Sequence, residues 1–198
     1  MPPPPSSRRA PGRPSATSHA AIEQASFRLF AEHGFDGTSL DAIAAEVGVG
    51  KRTLFRYFPS KNDIPWGQFD RTLEAFADLL DAVPDDVPLW EAVHRGVLAF
   101  NEFPPDADPP HAERMRLILR TPALQAHSVL RYGEWREVIA DYVARRTGGR
   151  ADAGLPLAVG HVSLALALTA YEQWLDDTSC DLPGLIDTAM RELRSYLA

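Results

Sequence analysis

Between His19 and His33 apolar side chains return at Ile22, Ala25, Leu29 and Phe30, the i, i+3, i+7, i+8 spacing of an amphipathic helix. Gly34 closes that stretch, at the point where a helix end favours a left-handed residue. Leu40, Ile43, Ala44 and Val47 form a second, shorter stripe. Thr38 or Ser39 can cap it, and Asp41 stands three residues after Thr38 in a capping-box-like spacing. Gly48-Val49-Gly50 turns the chain, with Gly50 an acceptable N-cap. A third helix is expected over Lys51–Phe58, ended by Pro59. On its wheel Leu54 and Phe58 face inward, Arg52, Thr53 and Arg56 lie opposite, and Phe55 and Tyr57 take the flanks. Two short helices around a glycine turn make a helix-turn-helix.

The same periodicity continues. A longer helix is expected from Asp63 to about Ala82, with Leu73, Phe76, Leu79 and Leu80 inward. Leu89–Glu102 follows, closed by the proline-rich PPDADPP. Next come a short helix over His111–Leu119 and a long one that Thr121 caps with Pro122 at its first position, reaching about Arg146. Pro156–Trp174 and Leu182–Leu197 complete the set. No segment alternates like a strand, so the expected fold is all-α, with an N-terminal three-helix helix-turn-helix domain and a C-terminal helical bundle. The division expected is a flexible basic arm over 1–15, the helix-turn-helix domain over 16–62, and the bundle over 63–198.

Leu155–Tyr171 is apolar nearly all round and falls just short of the ~18–20 residues of a membrane span. It reads as a helix buried on more than one face, with no membrane involved. Two copies packing this helix and the last one, through Leu185, Met190, Leu193 and Tyr196, would make a four-helix homodimer interface.

Charge sharpens this picture. The formal net charge of the 198 residues is −7, yet residues 1–66 carry eight Lys/Arg against six Asp/Glu. The rest carries twelve Arg against twenty-one Asp/Glu. A basic binding module on an acidic body fits that asymmetry. The single cysteine, Cys180, excludes an intramolecular disulfide and suits a reducing, cytoplasmic setting.

The second helix of a helix-turn-helix presents its first residues to base edges in the major groove of double-stranded DNA. Lys51, Arg52 and Thr53 hold that position, and arginine or lysine suits guanine O6 and N7. Arg56 shares the outward face. Tyr57 and Lys61 fall where they can meet phosphates, and Arg8, Arg9 and Arg13 add attraction. In the bundle, Phe100, Phe103, Met115, Ile118, Tyr132, Trp135, Tyr171 and Trp174 are candidates for an effector pocket or for plain core. Arg114 is a candidate partner for an anionic effector group. His94, His111, His127 and His161 show no metal-ligand spacing, and Gly-Val-Gly-Lys is too short for a phosphate loop. No catalytic residue, metal or cofactor is therefore expected. The rival reading is a helical small-molecule-binding protein without specific DNA recognition.

FRLFAEHGFDGTSLDAIAAEVGVGKRTLFRYFPSK, Phe27–Lys61, resembles the DNA-binding domain of TetR-family regulators in both helices, the glycine turn and the closing Phe-Pro-Ser-Lys. The resemblance implies a DNA-binding domain over 16–62, a C-terminal effector (ligand-binding) and dimerisation domain over 63–198, and a homodimer binding a palindromic operator, with phosphate contacts at Thr38, Tyr57 and Lys61 and base contacts at Lys51, Arg52 and Thr53. Phe55 departs from the tyrosine usual there, which removes one phenol hydroxyl. RYFPSKNDIPWGQFD, FNEFPP, ERMRLIL and TPALQAHSVLRY further resemble regulators encoded with genes for mycofactocin, a peptide-derived redox cofactor. That likeness implies repression of a mycofactocin-related operon, relieved by an apolar, acyl-CoA-like effector.

Overall fold

The structure, a computed structural model, describes residues 17–197. The basic arm expected over 1–15 lies outside the described residues. Among those described every regular element is helical. The chain divides into two compact units between Lys61 and Asn62.

The smaller unit holds α1 (His19–Gly37), α2 (Leu40–Val47) and α3 (Lys51–Leu54). Ser18 caps α1, its hydroxyl accepting from Ala21 N at 3.1 Å. Gly34 breaks the helix with φ 73° and ψ 163°, backbone space that is nearly reserved for glycine. The chain then re-enters a last helical turn to Gly37. Ser39, not Thr38, caps α2 by accepting from Ala42 N at 3.1 Å. Gly48 ends α2 in the left-handed region at φ 73°. Ile22, Phe30, Phe35, Ile43, Leu54 and Phe58 fill the core between the three helices.

The third helix is half the expected length. After Leu54 the bonds tighten: Arg56 N reaches Thr53 O and Tyr57 N reaches Leu54 O, both three residues back. Leu54 and Phe58 still point inward, and Phe58 N keeps a bond of 3.1 Å to Leu54 O, four residues back.

The larger unit opens with a 3₁₀ helix, Lys61–Trp66, which begins at the boundary. It is followed by α4 (Phe69–Asp81), α5 (Leu89–Phe100), α6 (His111–Arg120), α7 (Pro122–Thr147), α8 (Gly154–Asp176) and α9 (Leu182–Leu197). The single helix expected from Asp63 to Ala82 is therefore interrupted. Pro65 lacks the N–H that an α-helix would use, and Gly67 takes φ 61°, so the chain turns before α4 starts. Phe76 and Leu80 face the core as expected, but Leu79 is 36% exposed.

The core runs through α4 to α9, with Trp135, Ile139, Val143, Tyr171 and Ile186 among its buried residues. Helices α7 and α8 touch closely at Gly160, where an added Cβ would stand 2.8 Å from the carbonyl oxygen of Arg136. Helix α8 is not buried all round: Leu155 and Val162 are exposed on one side and Leu157 on the opposite one. By length and composition it is apolar enough to cross a membrane, with a third of that stretch, 33%, buried within the fold.

Candidate nucleic-acid interface and effector site

The candidate interface belongs to the smaller unit. Lys51 and Arg52 start α3 and are exposed, as is Arg56 just beyond it. Lys51 pairs loosely with Asp41, Nζ to Oδ2 at 3.0 Å, both side chains well solvated. Such a pair contributes about 0–1 kcal/mol and yields readily to a stronger anion. Thr53 is half-buried, and Phe55, 44% exposed, adds an apolar edge to the same face.

Three of the expected contact residues make bonds within the protein. Thr38 is 2% exposed, and its hydroxyl proton is shared between the carbonyls of Leu29 and Gly34 at 3.1 and 2.9 Å. That hydroxyl ties down the kink in α1 and offers nothing to a phosphate as placed. Lys61 Nζ donates to Phe35 O and Thr38 O at 2.7 and 2.8 Å, and stands over the Phe35 ring. It closes carbonyls left open at the end of α1. Tyr57 donates its hydroxyl to Thr17 O at 2.9 Å and meets the His19 ring edge-on. Thus, among the expected contact residues, Lys51, Arg52 and Arg56 face solvent, beside a framework that Thr38, Tyr57 and Lys61 brace.

In the larger unit the expected pocket residues divide as well. Met115, Ile118, Trp135 and Tyr171 are buried in the core, while Phe100 and Trp174 are partly buried against it. Phe103 is exposed and stacks on the His111 ring with 3.5 Å between centroids. Arg114 donates to Pro65 O at 2.6 Å. Apart from Phe103 and Arg114, these side chains pack in or against the core between helices. A groove of about 650 Å³ lies elsewhere, between α5, α8 and α9, lined by Trp90, Leu155, Val162, Met190 and Leu197. Arg194 covers the Trp90 ring at its edge, 3.4 Å from the centroid.

A polar chain crosses the core. Asn101 Nδ2 donates to Val97 O at 2.7 Å, which fixes the amide so that Oδ1 accepts from Tyr171 at 2.8 Å. The Tyr171 oxygen, its proton committed, must then accept from His111 Nε2 at 2.8 Å. His111 therefore carries a proton on Nε2. Burial, helped by the Arg114 charge, lowers its pKa from 6.5 to about 3. Burial also pushes the Tyr171 hydroxyl well up.

The depressed imidazole sets a pH dependence. Between about 3 and 6.5 the unfolded chain binds a proton at His111 that the folded chain refuses, so stability falls as pH drops through that window. The slope is at most ~1.4 kcal/mol per pH unit. The His111→Gln variant should lose less of its melting temperature than wild type between neutral and acid pH, read by thermal melts across a pH series.

Asp63 is buried at the start of the larger unit, where His127 Nε2 and Arg131 reach its Oδ1 at 3.0 and 2.9 Å. Arg131 also joins Asp70 and Glu134 at 2.9 and 3.1 Å. No sequence spacing brings Asp63 to α7. Only the fold does. The same holds for Asn101 and His111, whose partners come from other helices.

A small helix-turn-helix unit with outward cations, followed by an all-helical bundle, is the build of a one-component transcriptional regulator. Residues 22–64 match the family described as bacterial regulatory proteins, tetR family, and residues 87–198 match the MftR C-terminal domain. The chain belongs to the TetR family of transcriptional regulators, in the group defined by that C-terminal domain. It is 44% identical, over 90% of both chains, to a Mycobacterium tuberculosis protein assigned as the mycofactocin biosynthesis transcriptional regulator MftR. It is 28% identical to the HTH-type transcriptional regulator TcmR of Streptomyces glaucescens, over 98% of this chain and 92% of that one. Among solved structures, FadR of Bacillus subtilis in complex with stearoyl-CoA shares the fold at TM-score 0.62 and 17% identity, over 88% and 96% of the two chains.

Proposed function

We propose that this protein is a ligand-released repressor of mycofactocin-related genes, acting in the cytoplasm by binding rather than catalysis. It binds a palindromic operator as a homodimer joined through α8 and α9, with Lys51, Arg52 and Thr53 at base edges and Arg56 at phosphates. The observation that carries the reading is the set of solvent-facing cations on and beside α3, in a chain 44% identical to the MftR regulator. The exposed Leu155 and Val162 of α8, which share a groove with Leu197 of α9, support the dimer, since a contiguous exposed apolar surface favours being covered. The effector is an apolar, acyl-CoA-like molecule held in the larger unit. It releases DNA by favouring the conformation with the lower DNA affinity. In the dimer the two α3 helices must meet successive major grooves about one helical turn apart.

The test is binding of the purified protein to the DNA upstream of its own gene and to scrambled DNA of equal length, across a salt series. A preference of ~10³-fold or more is expected, the low end for specific recognition. Equal and steeply salt-dependent binding to both would refute specific recognition of that DNA, and no binding to either would favour a small-molecule-binding protein.

A further inference from the structure

A large apolar side chain stands among the outward cations of the helix-turn-helix unit. Phe55 is 44% exposed, while Leu54 and Phe58 on the inner side are 0% and 1% exposed. Phe55 N still bonds Lys51 O at 3.1 Å, so α-helical spacing holds as far as that residue. The ring therefore follows Lys51 by four positions and Arg52 by three, beside both on the helix surface. Arg56 comes next and is exposed as well. A single exposed ring is ordinary on a protein surface, so its company carries the argument. An apolar patch on a protein partner would have to strip water from Lys51, Arg52 and Arg56 to reach this ring. A DNA groove brings phosphates to meet the same cations.

The chemistry of the major groove narrows what the ring can touch there. Base edges present hydrogen-bond donors and acceptors, and one apolar substituent, the 5-methyl group of thymine. Lys51 and Arg52 suit guanine O6 and N7. A phenyl ring beside them exchanges no hydrogen bond with a base, and its complement on a base edge is the thymine methyl.

We infer that Phe55 is a specificity-determining residue, packing on the 5-methyl group of a thymine beside the base pair that Lys51 and Arg52 read. This rests on the regulator reading above and adds a required base to the operator half-site. The same ring laid against a deoxyribose would make an apolar contact without regard to sequence, and the two are separable by experiment.

The upstream DNA is amplified with thymidine triphosphate or with deoxyuridine triphosphate, which keeps the pairing and removes only the methyl groups. Scrambled DNA of equal length is made both ways, as a control for any change in duplex shape. Anisotropy titrations use the full chain, wild type and the variants Phe55→Ala and Phe55→Gln. Wild type should bind the uracil form of the upstream DNA roughly tenfold more weakly, since burying one methyl is worth about fourfold and a dimer reads two half-sites. Both variants should bind the thymine form more weakly than wild type does, and bind the two forms alike. Their melting curves, read by far-UV circular dichroism, should stay close to wild type, because the ring lies outside the buried core. If Phe55→Ala melts early, Phe55→Gln, which keeps a long side chain at the site, supplies the comparison.

Wild-type affinity indifferent to the methyl groups would overturn the inference. A folded variant that keeps the wild-type ratio between the two forms would overturn it as well, and would pass the methyls to another residue, Thr53 first. A variant weakened while wild type ignores the methyls would place the ring on the sugar. Wild type that does not prefer the thymine form of the upstream DNA over scrambled DNA would refute the regulator reading for that DNA, and this inference with it. A preference that survives uracil substitution would refute the role of Phe55 alone.

Discussion

Phe58→Ala will melt the helix-turn-helix unit while the larger unit stays folded. Phe58 is 1% exposed, packed beside Leu54 at the end of the third helix and against the His19 ring at 5.3 Å. Removing a buried phenylalanine costs about 3–5 kcal/mol. A unit of this size, at ~0.05–0.15 kcal/mol per residue, has little more than that to lose. The chain itself supplies the means of separating the outcomes. All four tryptophans, Trp66, Trp90, Trp135 and Trp174, fall beyond Lys61. Tryptophan fluorescence should therefore keep its thermal transition in the variant, while far-UV circular dichroism shows an early loss of helix. A single transition, shifted equally in both signals, would show that the two units unfold as one.

Replacing Lys51 and Arg52 together with alanine should cut affinity for the upstream DNA by ~10²-fold or more, each base contact being worth about 1–3 kcal/mol. Both side chains are exposed, and only the weak Lys51–Asp41 pair is lost, so the melting curve should not move. Anisotropy titrations against specific and scrambled DNA distinguish the two roles available to these cations. If they read bases, the preference for the specific sequence collapses. If they meet phosphates alone, both affinities drop in parallel and the salt slope becomes shallower by about one per lost contact. An unchanged affinity would remove α3 from the interface.

Much of the fold was legible because burial imposes a period. The stripes at Ile22–Phe30 and Leu40–Val47, the proline start at Pro122 and the glycine ends mark helices that the structure contains, although the Thr121 side chain makes no capping bond. The periodicity failed where two local demands compete. From Asp63 to Ala82 the apolar spacing suits one helix, yet Pro65 and Gly67 impose a 3₁₀ turn, and a hydrophobic stripe carries no information about that contest. Thr38 and Ser39 look interchangeable as caps, but only Ser39 has its side chain at the start of α2, because Gly34 sends Thr38 back into α1. In the bundle, lining and core draw on the same large apolar residues, so the sequence named Trp135 and Tyr132 without separating one role from the other. The contact of Tyr132 with Trp66 exists only in the folded chain.

The two lysines have a practical bearing on the bench. The chain has no others, and both stand in the helix-turn-helix unit. Lys51 is open to solvent, whereas Lys61 is held by two carbonyls and a ring. Amine-reactive chemistry will therefore single out Lys51 among the side chains. Tethering the protein to a sensor surface through its lysines would bury the face proposed to meet DNA and yield a falsely silent sensor. Attachment through Cys180, exposed in the turn between α8 and α9, leaves that face free.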